Sequence, residues 1–179
     1  MTTILKPMLQ VVLIGAVAWL MTACVSVPSG VNPVQSFDTK RYLGEWYEIA
    51  RLDHRFERGL EQVSAEYSVR PDGQIKVINR GFNTRTQRWS TIEGRAELVG
   101  NPNEGRLKVS FFGPFYAGYN IVELDPNYQY ALVVGNNRKY LWILSRTPDL
   151  APAIKTQLVT KARALGFATE PLIWVKHKS

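Results

Sequence analysis

The chain has 179 residues, 45% of them hydrophobic and 21% charged, which is the balance of a folded globular protein of one domain. Its single Cys excludes an intrachain disulfide scaffold, and its two His leave too few ligands for a structural zinc cluster, which takes about four. Lys and Arg number 22 against 15 Asp and Glu, for a net charge of +7.

Residues 1–23 carry one charge, Lys6, and none lies between Met8 and Ala23. The apolar run is shorter than the ~20 residues that span a bilayer, and polar chain follows it. A basic start, a short apolar run and small residues at its end predict a signal peptide over 1–23. The run Leu20-Met21-Thr22-Ala23-Cys24 resembles the lipobox of bacterial lipoproteins, with Met21 where Leu is usual. That resemblance implies acylation of Cys24 as the first mature residue. Val25 stands where lipoproteins kept at the inner membrane have Asp, which implies the outer membrane, with the domain facing the periplasm. A plain secretory signal and an uncleaved anchor helix are the alternatives. Residues 24–36, with Pro28, Ser29, Gly30, Asn32 and Pro33 and no periodicity, are expected to be a tether. The folded domain then covers 37–179.

Past Phe37 the pattern has period two with regular turn residues, which predicts an all-β domain. Strands are expected near 44–52, 62–70, 74–82, 88–99, 105–112, 117–124, 129–135 and 139–146. Pro71-Asp72-Gly73, Asn101-Pro102-Asn103, Asp125-Pro126-Asn127 and Gly135-Asn136-Asn137 mark turns between them. Connections this short favour antiparallel neighbours. Ile154, Leu158, Ala162 and Leu165 lie on one helical face, so a helix is expected over 150–165, starting near Pro152 and stopping at Gly166. A short ninth strand, Leu172–Val175, follows.

An eight-stranded meander has two edges, and closing it into an up-and-down barrel removes them. The helix then packs outside. Lys76 and Arg80 on the third strand and Arg95 and Glu97 on the fourth argue against a lipid-facing belt, where a Lys or Arg at mid-depth costs about 2–4 kcal/mol.

Gly44-Glu45-Trp46 at the start of the first strand, Leu124-Asp125-Pro126-Asn127-Tyr128 between strands six and seven, and Trp142-Ile143-Leu144-Ser145-Arg146 ending strand eight resemble the three motifs of the lipocalins. Asp53-His54-Arg55-Phe56-Glu57 and Phe111-Phe112-Gly113-Pro114-Phe115-Tyr116 resemble the bacterial branch of that family, related to apolipoprotein D and the plant temperature-induced lipocalins. The resemblance spans roughly 37–175. It implies a cup whose closed end is plugged by Trp46, with Gly44 and Arg146 as partners in a structural motif. Arg146 is expected to lie across the indole by cation–π attraction and to hydrogen-bond nearby carbonyls.

Strand alternation then names the lining. If Trp46 points in, so do Glu48 and Ala50. The apolar faces of strands two and three are Val63, Ala65, Tyr67 and Val69, then Ile75, Val77, Asn79 and Gly81. Leu107, Val109 and Phe111 follow on strand five, and Tyr140, Trp142 and Leu144 on strand eight. From these, Glu48, Tyr67, Asn79, Phe111, Tyr116 and Trp142 are the candidate ligand-binding residues. An apolar and aromatic wall with a few polar groups is how ligand sites are built. Buried, Glu48 needs an Arg or Tyr partner or a proton. His54 and Arg55 are expected in a solvated loop after strand one; the family resemblance implies that this loop folds toward the open end, with contact to anionic head groups as the alternative.

No nucleophile motif, metal helix motif or catalytic carboxylate pair stands out, so a non-enzymatic protein without cofactor or metal is expected. An envelope address makes lipid, rather than nucleic acid, the partner of the positive charge. The family resemblance implies a carrier or store of fatty acids or lysophospholipids that serves membrane maintenance under stress. It is compatible with a homodimer. A scaffold whose barrel is filled by its own side chains is the second reading, and a lipid hydrolase using carboxylates such as Glu48 and Glu93 the third.

Overall fold

The computed structural model describes residues 25–178. Residues 1–23, expected to be a signal peptide, and Cys24 lie outside the described residues. Nine strands form one antiparallel sheet: β1 (Gly44–Arg51), β2 (Leu60–Val69), β3 (Ile75–Asn83), β4 (Arg88–Leu98), β5 (Arg106–Phe112), β6 (Phe115–Leu124), β7 (Tyr130–Val134), β8 (Leu141–Ser145) and β9 (Ile173–Trp174). Each of β2 to β7 pairs with the next, β8 pairs with β1, and β1 pairs with β2, so the first eight strands close on themselves, with β9 added outside on β1. The expected strands are all present, most with ends moved by one or two residues. A one-turn helix, α1 (Thr39–Tyr42), precedes the barrel, capped by Asp38, whose carboxylate accepts from the Lys40 amide. The second helix, α2 (Pro152–Ala164), begins on Pro152 and ends before Gly166 at φ 81°.

Closure separates two apolar layers. The inner one holds Trp46, Tyr67, Ile75, Val77, Ala96, Leu107, Val109, Ile121 and Val133 inside the barrel. The outer one holds Ile49, Leu132, Val134, Leu141 and Ile143 from the opposite face of the wall, under Leu158 and Ala162 of α2. At 0% exposure Leu158 and Ala162 show how tightly the helix is applied.

Three details differ from the sequence reading. A bulge between Glu48 and Ala50 shifts the β1–β8 register: Glu48 opposes Leu144, but Ala50 opposes Ile143 and Arg51 opposes Trp142. The extra residue inverts the alternation, so Ala50 joins the layer beneath α2 and Arg51 takes the inward place. Val69 lies past the last residue opposed to β1 and is exposed at the closed-end rim. Residues 25–36 are not a free tether. Pro28, Val31 and Pro33 are buried, Val34 donates its amide to the Ile121 carbonyl at 2.8 Å and accepts from Gly105 at 2.8 Å. Individual apolar residues wedge this segment against the wall, a mode that leaves no periodic signature.

Candidate functional site

The two ends of the barrel are built differently. At the closed end Trp46 is fully buried and donates its indole N–H to the Tyr42 carbonyl at 2.8 Å, with its ring stacked on Tyr42 at 4.7 Å. Arg146 covers the indole at 3.9 Å. The same guanidinium donates to the carbonyls of Tyr128, Glu45 and Arg41 at 3.2, 2.9 and 2.9 Å, which ties α1 to strands β1 and β8. Gly44 sits at φ 94°, where a Cβ would come within 3.3 Å of Arg146 Nη1. Above this plug three tyrosines meet. Tyr67 donates to the Tyr119 hydroxyl at 3.0 Å, and the Tyr42 and Tyr119 hydroxyls lie 2.7 Å apart. Burial pushes Tyr67 up to about 12 and raises Tyr42 and Tyr119 well above the usual phenol value, so the floor of the cup is uncharged.

The row above that floor keeps contact with solvent. Trp46 opposes Ala65, Ala65 opposes Asn79, and Asn79 opposes Ile92. Ala65, Asn79 and Ile92 are half-buried, as are Phe111 and Trp142, while Ala117 is exposed. Ala117 opposes Val109 on the wall, so it shares Val109's inward face. The Oδ1 of Asn79 is buried with no partner among the described residues. Phe111 lies over Gly94, where any Cβ would meet its ring at 2.6 Å.

At the mouth the loop 52–59 folds inward over a buried polar cluster. Arg51 donates from Nη1 to Glu48 at 2.6 Å, and from Nη2 to the carbonyls of Glu57 and Leu60 at 2.8 and 3.0 Å. Glu57 lies 2.9 Å from His54 Nε2 and accepts the Trp142 indole N–H at 3.1 Å. His54 is 8% exposed and packs on Trp142, Tyr140 and Phe56, so it is not in the solvated loop the sequence suggested. Burial raises the Glu48 carboxyl well above its usual range and the Glu57 charge adds to this, against the pull of Arg51. Burial alone would raise Glu57 too, but its hydrogen bond with His54 and the field of that ring outweigh it and hold Glu57 low. Of the two carboxyls, Glu48 is thus the harder to ionise and Glu57 the easier.

Of the six candidate ligand residues, Tyr67 lies at the floor, Asn79 and Phe111 on the wall, and Glu48 and Trp142 at the mouth. Tyr116 is outside. Its hydroxyl donates to Glu97 at 2.8 Å, and Lys108 and Arg95 lie over its ring on the outer face. An irregularity between Val109 and Phe112 at the β5–β6 hairpin tip hides that parity from the sequence. Arg51 and Glu57 were missed, and His54 had only the head-group contact of its loop as a second reading. Arg51 had a signal: it is the nearest Arg to a carboxylate that burial obliges to find a partner.

A closed antiparallel barrel with a plugged floor, half-buried residues on its upper inner wall and a polar cluster at its mouth has the architecture of a cup. The chain belongs to the lipocalin family: the lipocalin-like domain matches residues 37–177. It is 54% identical to the outer membrane lipoprotein Blc of Citrobacter freundii over 94% of this chain and 97% of that one. Identity to the outer membrane lipoprotein Blc of Escherichia coli K12 is 52%, over 95% and 97% of the two chains. Among solved structures, insecticyanin from the tobacco hornworm superposes with a TM-score of 0.68 at 19% identity, covering 86% of this chain and 88% of that one, which shows the shared fold. Lipocalins bind small hydrophobic ligands, and no enzyme family is indicated.

Proposed function

We propose that this lipocalin holds a fatty acid or lysophospholipid and stores or carries it for maintenance of the cell envelope. The observation that carries the reading is the lumen itself. Above the tyrosine floor, an apolar wall of Ala65, Ile92, Phe111 and Ala117 retains exposure, interrupted by Asn79, and the charged groups gather toward the mouth. An acyl chain laid along that wall gains about 0.8 kcal/mol for each methylene buried. Among the buried atoms there that have no hydrogen-bond partner among the described residues are the Arg51 Nε donor, the His54 Nδ1 and the Asn79 Oδ1 acceptor. Buried orphans of opposite hydrogen-bonding sense suit a head group that both accepts and donates.

The lipobox-like run supports acylation of Cys24 after removal of 1–23, and the names of the relatives support the outer membrane as its address. The domain then hangs in the periplasm. Mass spectrometry of lipid extracted from protein purified out of its own envelope tests the cargo. A single-chain lipid at near one equivalent is expected. Protein free of lipid, together with no saturable tryptophan quenching by added fatty acid, sinks the carrier and leaves the scaffold.

A further inference from the structure

The cluster beneath the 52–59 loop packs titratable groups into dry protein. Arg51, Glu48 and His54 are 1, 3 and 8% exposed. With Glu57 they make one guanidinium, two carboxyls and one imidazole, joined by the Arg51–Glu48 and His54–Glu57 contacts at 2.6 and 2.9 Å. The groups that face the cluster from its neighbours leave this inventory unchanged. Asp53 and Arg58 of the same loop pair with each other at 2.6 Å, and Arg55 lies over the Phe56 ring. Tyr67 of β2 keeps its proton up to about 12. Tyr140 and Trp142 bring rings against His54, and Trp142 gives its N–H to Glu57. In the C-terminal segment, His177 meets the Glu48 backbone carbonyl through Nε2 at 2.8 Å.

Arg51 Nε and His54 Nδ1 are buried and have no hydrogen-bond partner among the described residues. Arg51 Nε is a donor at any pH. With the ring proton of His54 on Nε2, toward Glu57, Nδ1 is an acceptor, and a second proton turns it into a donor. Protonation therefore converts the cluster from one that suits a neutral group to one that suits an anion. The link to the lumen is Trp142, which opposes Arg51 across the β1–β8 pairing and is half-buried. A head group resting against Trp142 is one side chain away from both Arg51 and Glu57. A third negative charge beside a single guanidinium is costly where water is excluded, and a proton on Glu48 or His54 removes that cost. Burial already holds the Glu48 carboxyl above its usual range, so it gains a proton readily.

We infer that the Glu48–Arg51–His54–Glu57 cluster is a proton-linked site for an anionic head group: a carboxylate or phosphodiester that settles beside Trp142 and Arg51 is bound together with a proton, carried by Glu48 or His54. The inference rests on the carrier reading and adds to it the charge of the head group and the condition under which it is held. Linkage sets the sign. A lipid whose binding takes up a proton loses affinity as pH rises, its Kd growing by up to about tenfold per pH unit for one proton. An uncharged head group on the same chain makes no such demand, so its affinity stays flat over the same range.

The experiment is calorimetric titration of the full chain in phosphatidylcholine nanodiscs, with empty nanodiscs as reference. It is run in pairs of buffers of different ionisation enthalpy between about pH 5 and 8, where imidazole chemistry falls. The dependence of the heat on the buffer counts the protons taken up per lipid bound. Lysophosphatidylglycerol carries a fixed phosphodiester charge, tetradecanoic acid a carboxylate, and monomyristoylglycerol none. The two charged lipids should take up between about one half and one proton each, and the uncharged one none. Uptake with lysophosphatidylglycerol alone supports the site and names the phosphodiester as its head group. Uptake with tetradecanoic acid alone puts the proton on the ligand and overturns the inference. In the double variant Glu48→Gln, His54→Gln the uptake should vanish, with near-ultraviolet circular dichroism checking that the barrel has formed. Uptake that survives in the folded variant places the proton elsewhere and overturns the inference. The comparison of the three lipids on the wild type decides even where the variant does not fold. Charged lipids that bind with no uptake at any pH overturn the inference and leave the carrier standing. Binding of none of the three removes the carrier reading, and this inference with it.

Discussion

The guanidinium carbon of Arg146 sits 3.9 Å from the centre of the Trp46 ring, although exactitude of contact is not what makes the pair matter. Arg146 also spends its N–H groups on three carbonyls drawn from α1, β1 and the β6–β7 turn. Removing it leaves an uncovered indole and three carbonyls without their donor. Arg146→Ala should lose about 2–4 kcal/mol of stability by urea denaturation. Arg146→Lys should recover only part of this, because an ammonium cannot span the three acceptors. A full recovery by Lys would show that charge alone holds the floor.

Tyr119 is the hub of the floor, touching the hydroxyls of both Tyr42 and Tyr67. Tyr119→Phe strands those two groups and should cost about 1–3 kcal/mol. The raised phenols also fix a sign. Folded Tyr67 keeps its proton up to about 12, above an unfolded value near ~10, so the folded state binds more protons in that window. Stability therefore falls as pH climbs from ~10 toward 12. In a spectrophotometric titration the three floor tyrosines should ionise only as the protein unfolds.

The barrel was legible because strand pairing leaves a period of two in each segment, and the turns between strands carry Gly, Pro and Asn. What failed to show was phase. Ala50 and Arg51 exchanged faces at a bulge, and Tyr116 turned outward beside an irregular hairpin tip. A bulge adds one residue without changing composition, so alternation read from one strand end carries no warning of it. His54 and Glu57 sit in a loop whose inward fold depends on Arg51 reaching the Glu57 and Leu60 carbonyls, a tertiary contact with no local pattern. The packed segment 25–36 was hidden for the same reason, since Val31 and Val34 act one at a time.

The Glu48 carboxyl gives a second pH dependence, at the other end of the cup. Its folded-state pKa is raised well above the unfolded value of ~4.3, so the folded state holds the extra proton and stability drops as pH rises past that value. Gln at this position keeps an uncharged partner for Arg51 and has no proton to lose. Glu48→Gln should gain on the wild type by on the order of 1 kcal/mol for each pH unit above ~4.3, until the folded-state pKa is reached. Glu57 contributes with the opposite sign, because its pKa is lowered and its share is lost only as pH falls. Thermal melts of both proteins across pH separate the two. Parallel curves would mean that Glu48 is ionised in the folded protein.

Gly94 and Phe111 are packed against each other on the inner wall of the barrel. A Cβ at position 94 would lie 2.6 Å from the Phe111 ring and 2.7 Å from the Ser110 carbonyl oxygen. The ring can swing inward, but the carbonyl belongs to the paired wall, so Gly94→Ala should cost about 1–3 kcal/mol. The displaced ring occupies space an acyl chain would use. Tryptophan quenching by fatty acids of graded length should show Gly94→Ala losing affinity most for the longest chains. Phe111→Ala should shift the preference the other way, and the double variant should regain long-chain binding while keeping part of the stability loss, because the contact with Ser110 remains. Identical length profiles in all three would place the acyl chain elsewhere than along this wall.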